Sequence, residues 1–122
     1  MKELSFTLKL KEAPVQITDA EGQEHSFVLR ELNGRDRDSY LDQMGERMKF
    51  SPTGKMAGMK NYKGIQTGLL SLCLYDENET LVSMKTLQEY PSTALSDLYD
   101  AACELSALDK GEVKDEDEVK ND

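Results

Sequence analysis

With 122 residues, 38% hydrophobic and 32% charged, the chain has apolar content for one modest core and too little to hold every segment inside it. A net charge of −9 argues against a protein that grips nucleic-acid phosphates, because that affinity comes from Lys and Arg displacing counterions. No stretch approaches the roughly 20 apolar residues of a membrane span, and Met1-Lys2-Glu3-Leu4 forms no signal-peptide core, so the expectation is a cytoplasmic protein that binds neither nucleic acid nor membrane.

In chain order, Phe6, Leu8 and Leu10 alternate with Ser5, Thr7 and Lys9, the period of a strand with one wet face. Beyond Pro14 the parity changes to Val15 and Ile17, which predicts a bend or bulge at Ala13-Pro14. Asp19-Ala20-Glu21-Gly22 reads as a turn, and His25, Phe27 and Leu29 return on one face, giving a β-hairpin over about 4–32. Two strands alone are marginal and need a covering helix or a third strand from a partner.

Helices are predicted over about 35–49, with Tyr40, Leu41, Met44 and Met48 on one face, and over about 56–75, with Met59, Tyr62, Ile65, Leu69, Leu72 and Cys73. A short one over 83–90 has Ser83 as its cap and Pro91 as its stop. A last one over 92–108 is capped by Ser92 and ends near Gly111, where glycine suits a left-handed stop. Residues 1–108 thus read as a single α+β domain, a hairpin packed on a bundle of about four helices. Residues 109–122 read as a disordered acidic tail, whose −4 leaves −5 on the body. Cys73 and Cys103 fall in helical apolar patterns and read as reduced core thiols.

The chemical motifs are weak. Thr53-Gly54-Lys55 resembles the end of a phosphate loop, but Lys49 and Met56 stand where Gly and Ser or Thr are needed. Asp76, Asn78 and Thr80 have calcium-loop spacing, with Leu81 and Leu87 where the loop needs Gly and Glu. Asn78-Glu79-Thr80 is a glycosylation sequon with no secretory route. The lone His25, far in sequence from either cysteine, reads as a surface hairpin histidine, and no Cys/His set has zinc spacing. No catalytic, metal or cofactor residue is assigned, and the expectation is a non-enzymatic protein. The candidate partner-binding surface is a methionine-rich patch beside the Ser51-Pro52-Thr53-Gly54 loop, formed by Met44, Met48, Met56, Met59 and Tyr62, since flexible thioethers remould around apolar partners.

Several stretches, together covering Leu4 to Leu108, carry a family resemblance: the N-terminal apolar ribbon ending in Phe27-Val28-Leu29-Arg30-Glu31-Leu32, Gly34-Arg35-Asp36-Arg37-Asp38-Ser39-Tyr40-Leu41, Leu72-Cys73-Leu74-Tyr75-Asp76-Glu77-Asn78, Leu81 through Ser92, and Glu104-Leu105-Ser106-Ala107-Leu108. In this order the chain resembles the tail assembly chaperones of long-tailed bacteriophages, particularly those with Gram-positive hosts. The resemblance implies a protein of the host bacterial cytoplasm that binds the tape measure protein, keeps it soluble until tail tube polymerisation, and is absent from the mature virion. It also implies a programmed frameshift, near Lys110-Gly111, giving a longer form that recruits tail tube protein. Self-association through the ribbon's edges is a further expectation. The alternative is an acidic inhibitor that mimics DNA and blocks a host nucleic-acid enzyme.

Overall fold

The computed structural model describes residues 3–50, 56–59 and 63–108, with the backbone alone for 48–50 and 56–59. The fold is α+β. Strands β1 (Glu12–Thr18) and β2 (Glu24–Arg30) precede α1 (Gly34–Arg47) and a small hairpin of β3 (Met48–Phe50) and β4 (Met56–Met59). Then come α2 (Ile65–Cys73), β5 (Leu74–Tyr75), α3 (Met84–Leu87) and α4 (Ser92–Leu105). The tail 109–122 lies outside the described residues.

The main sheet is antiparallel, in the order β1-β2-β5, so β1 is an edge strand. Its pairing runs unbroken from Glu12↔Arg30 to Thr18↔Glu24, Pro14↔Val28 included. The expected bulge at Pro14 is therefore absent. The Glu31 N–H donates to the Lys11 carbonyl and the Asp19 N–H to the Gln23 carbonyl, so odd-numbered residues of β1 hydrogen-bond to β2 and even-numbered ones face outward. The N–H that proline lacks would have pointed at the open edge, where no ladder bond is lost. Ala13, Val15 and Ile17 turn inward with Phe27 and Leu29. The hairpin is shorter than the 4–32 expected, because residues 3–10 form no strand. Continued as one strand, Phe6, Leu8 and Leu10 would lie on the face opposite Val15 and Ile17, since side chains alternate with a period of two.

The hairpin gains its third strand from its own chain. The last turn of α2 runs directly into extended backbone at Leu74 (φ −97°, ψ 119°), which sets Leu74 opposite Leu29, both fully buried. Two turns then share one hydrogen-bond pattern. In each, the aspartate N–H donates to the carbonyl four residues on, and its Oδ1 accepts two later N–H groups. The bonds are Asp19 with Gln23 and Glu21, and Asp76 with Thr80 and Asn78, all at 2.8–3.1 Å. The third loop residue is left-handed in both, Gly22 at φ 87° and Glu79 at φ 59°. Asp76-Glu77-Asn78-Glu79, which follows the helix expected over about 56–75, is a chain reversal closed by a Tyr75↔Leu81 bridge.

Asn33 starts α1, its Oδ1 accepting the Asp36 N–H at 2.9 Å, with Asp36 in the first turn and Arg47 in the last to match the helix dipole. The helix expected over 56–75 is corrected. Residues 56–59 form a strand paired with β3 (Met48↔Met59, Lys49↔Gly58, Phe50↔Met56), and α2 begins only after Gly64, left-handed at φ 82°. Ser83 does cap α3, its Oγ accepting the Thr86 N–H at 3.2 Å. Ser92, by contrast, is the first residue of α4, preceded by Pro91 in extended backbone, a natural entry for a helix. Nor does α4 run to Gly111. It stops at Leu105, with Ala107 left-handed at φ 53°, the Leu108 N–H on the Cys103 carbonyl and the Ala107 N–H on the Glu104 carbonyl, a Schellman closure.

The buried residues form one cluster centred on α2. Leu29, Leu69, Leu70, Leu74 and Leu87 are fully buried, each contributing about 1.5–3 kcal/mol by transfer from water. The buried Tyr40 and Tyr99 hydroxyls meet at 2.6 Å and tie α1 to α4. Ser106, also buried, joins the end of α4 to the β2–α1 connection, accepting the Leu32 N–H on Oγ and Arg37 Nη1 on its carbonyl.

Candidate functional site

The inward face of the hairpin is wider than the helix that covers it. Leu98 is buried toward the core, but α4 presents only Ala94 and Ala101 beside it along the same stripe, four and three residues away. Val15, Ile17 and Phe27 are therefore only half-buried, and between them and α4 lies an open groove of about 830 Å³. Tyr90 and Pro91, at the junction of α3 and α4, form part of its wall. Burial raises the Tyr90 hydroxyl above its ordinary pKa, with the nearby Asp76 adding to the effect. Asp19, Glu89 and Asp97 put negative charge on the lining. The volume falls within the range of binding pockets, and the lining is mostly apolar with a few polar groups, the usual composition of a recognition site.

His25 also lines the groove, bridging two carboxylates: Nε2 lies 2.9 Å from Asp19 Oδ2 and Nδ1 lies 2.7 Å from Glu77 Oε1. The bond to Asp19, followed by that to Glu77, raises the histidine above its ordinary value, and the bond from His25 holds Asp19 below its own. Engaged at both ring nitrogens, the imidazole clamps together the two aspartate-led turns. The sequence reading of an isolated surface histidine missed these partners because Glu77 is 52 residues away and Asp19 looked like a plain turn residue.

The candidate binding residues are separated. Met44 is 6% exposed, a core side chain of α1, so it forms no part of an accessible patch. Met48, Met56 and Met59 fall in the β3–β4 hairpin, described by backbone alone, with Met48 directly opposite Met59. Tyr62 and the loop at 51–55 lie outside the described residues.

Cys73 and Cys103 are buried and not disulfide-bonded, and burial pushes the Cys73 thiol up to about 12, which keeps it protonated and unreactive. Among the described residues, no group of three or more His, Cys, Asp or Glu side chains is placed to hold a metal ion, and no helix is long and apolar enough to cross a membrane. What the arrangement can do is bind an apolar segment with basic flanks. The chain matches no family model, no curated protein and no solved structure.

Proposed function

We propose that this protein is a non-enzymatic tail assembly chaperone of a long-tailed phage, holding the apolar stripes of the tape measure protein in the host cytoplasm until tail tube subunits polymerise around it. The observation that carries the reading is the groove between the hairpin and α4. A tape measure is a long helical chain with apolar stripes, and an apolar trough with acidic residues along it suits such a helix through the helix-in-groove mode of recognition. Small residues at 94 and 101 leave room for incoming side chains, and a net charge of −9 keeps the chaperone itself soluble. The resemblance of residues 4–108 to such chaperones suggests the identity of the client. A longer frameshifted form would bring in tail tube protein as a second partner.

The test is affinity purification of the chain, tagged and expressed from its native locus during phage production, with co-purifying proteins identified by mass spectrometry. The expected result is recovery of a very long helical tail protein, lost on Ala94→Glu with Ala101→Glu. Recovery of a host nucleic-acid enzyme instead would replace this reading with that of an acidic inhibitor.

A further inference from the structure

Residues 4–8 carry the largest exposed hydrophobic side chains in the described structure: Leu4 is 76% exposed, Phe6 82% and Leu8 97%. They alternate with Ser5 and Thr7 as a half-buried strand would, yet no described residue covers them. A soluble domain rarely leaves such a row bare unless it meets a partner. Their parity is opposite to that of Val15 and Ile17, so these side chains cannot join the core by extending β1.

The same chain holds the complementary surface. The outer edge of β1 offers the unpaired backbone groups of Glu12, Gln16 and Thr18, a template for one more strand. A strand laid there with its apolar side inward would place that side over the half-buried Val15 and Ile17, in the groove against Ala94 and Ala101. Lys9 and Lys11 follow the apolar row, and Asp19, Glu89 and Asp97 line the groove. The segment does not occupy its own groove, Phe6 and Leu8 being 82% and 97% exposed. Lys11 is held at the far end of β1, its N–H on Glu31 Oε1 at 2.9 Å and its carbonyl accepting the Glu31 N–H at 2.8 Å. Folding back beside β1 would require a full reversal through Lys9-Leu10-Lys11; the chain bends at Lys9 without completing one, and the stretch has none of the Gly, Asn, Asp or Pro that favour tight turns.

We infer that the occupant is a second copy of this chain: two copies exchange their 4–8 segments, each adding a strand to the other's β1 edge and seating Phe6 and Leu8 in the other's groove. The pairing gives the exposed row a cover and the wide sheet face its missing side chains in one step. It does not rest on the chaperone reading, because it needs no client and is tested on the pure protein; the two occupants take the groove in turn, a client's apolar stripe displacing the partner's segment.

The experiment is sedimentation of the full chain at up to about 0.1 mM, a concentration that populates all but the weakest specific contacts. The wild type is expected at twice the monomer mass. A segment variant, Phe6→Glu with Leu8→Glu, and a groove variant, Ala94→Glu with Ala101→Glu, are each expected at the monomer mass. Mixed together, they should form a dimer containing one of each, because the first keeps a working groove and the second a working segment. A monomeric wild type, a dimeric variant of either kind, or a mixture that stays monomeric overturns the exchange. Should circular dichroism show the groove variant unfolded, an excess of a peptide of residues 3–11 takes its place. The peptide should convert wild-type dimers to monomers while its Phe6→Glu, Leu8→Glu form does not, and equal effects of the two peptides, or none from either, overturn the inference.

Discussion

The paired aspartate turns allow a stability change to be worked out in advance. Glu79 and Gly22 occupy the same place in the same hydrogen-bond pattern, both left-handed, but only one is glycine. The left-handed conformation costs an L-residue about 1–2 kcal/mol through the clash of Cβ with the backbone, while glycine's freedom in the unfolded chain returns about 0.5–1 kcal/mol of that. Glu79→Gly is therefore expected to stabilise the fold by about 0.5–1 kcal/mol, raising Tm by roughly 2–6 °C for a domain of this size. Glu79 is exposed, so the loss of its charge must be separated from the relief of strain: Glu79→Ala removes the charge alone, and Glu79→Asn adds partial tolerance of positive φ. The order of stability should be Gly above Asn, with Asn above Ala. The reverse change, Gly22→Ala, should cost about 1 kcal/mol from the backbone alone, since nothing lies within 4 Å of where its Cβ would be. Thermal and guanidinium unfolding followed by circular dichroism measure all four, with an unchanged m-value showing that stability has changed and the surface exposed on unfolding has not. Equal stability of Glu79→Gly and Glu79→Ala, or a costless Gly22→Ala, would refute the equivalence of the two turns.

Ala107→Gly should stabilise by about 0.5–1 kcal/mol on the same reasoning, read as a rise in Tm, because Ala107 is the left-handed residue of the Schellman closure after α4. Met44→Glu should destabilise by about 3 kcal/mol or more by burying an unpaired carboxylate, whereas Met44→Leu should cost less than about 1.5 kcal/mol; chemical unfolding of both separates a core methionine from a surface one. The His25 clamp makes stability depend on pH. Its raised pKa supplies stabilisation that is full below the ordinary value of 6.5 and lost as pH rises through the higher folded value, and Asp19's lowered pKa supplies stabilisation present above 3.8 and lost as pH falls below it. Wild type should lose more Tm than His25→Gln between about pH 6 and pH 9, and parallel curves would show that the clamp contributes nothing.

The sequence revealed elements wherever one residue pattern had one physical meaning. Alternation at Val15-Ile17 and His25-Phe27-Leu29, the helical faces of α1 and α4, and the Ser83 cap were all legible for that reason. The failures share a cause of the opposite kind. An apolar run from Ile65 to Tyr75 has the same periodicity whether the chain stays helical or turns extended at Leu74, and only the pairing with Leu29 decides it. Met56-Ala57-Gly58-Met59 has weak strand propensity, so its pairing with β3 left no signal in composition. Left-handed stops were sought at glycine and fell instead on Glu79 and Ala107, where the hydrogen-bond closure overrides the local preference.

The candidate site was the least legible part, because it arises from a mismatch between elements and not from a motif. Nothing in Ala94 and Ala101 announces a groove until Val15, Ile17 and Phe27 are laid beside them and found too broad for two methyl groups to cover. The methionines misled in the complementary way: adaptable side chains serve cores and surfaces alike, and Met44 is in the core. One anomaly did hold the clue. The change of parity between Phe6-Leu8-Leu10 and Val15-Ile17 marks no kink within one strand: β1 begins only at Glu12, and the apolar row before it belongs to a different face. A chain that keeps an apolar row of the wrong parity beside an open edge and an unfilled groove has the chemistry of a joint between molecules, and the exposure of Phe6 and Leu8 is where that joint should be sought first.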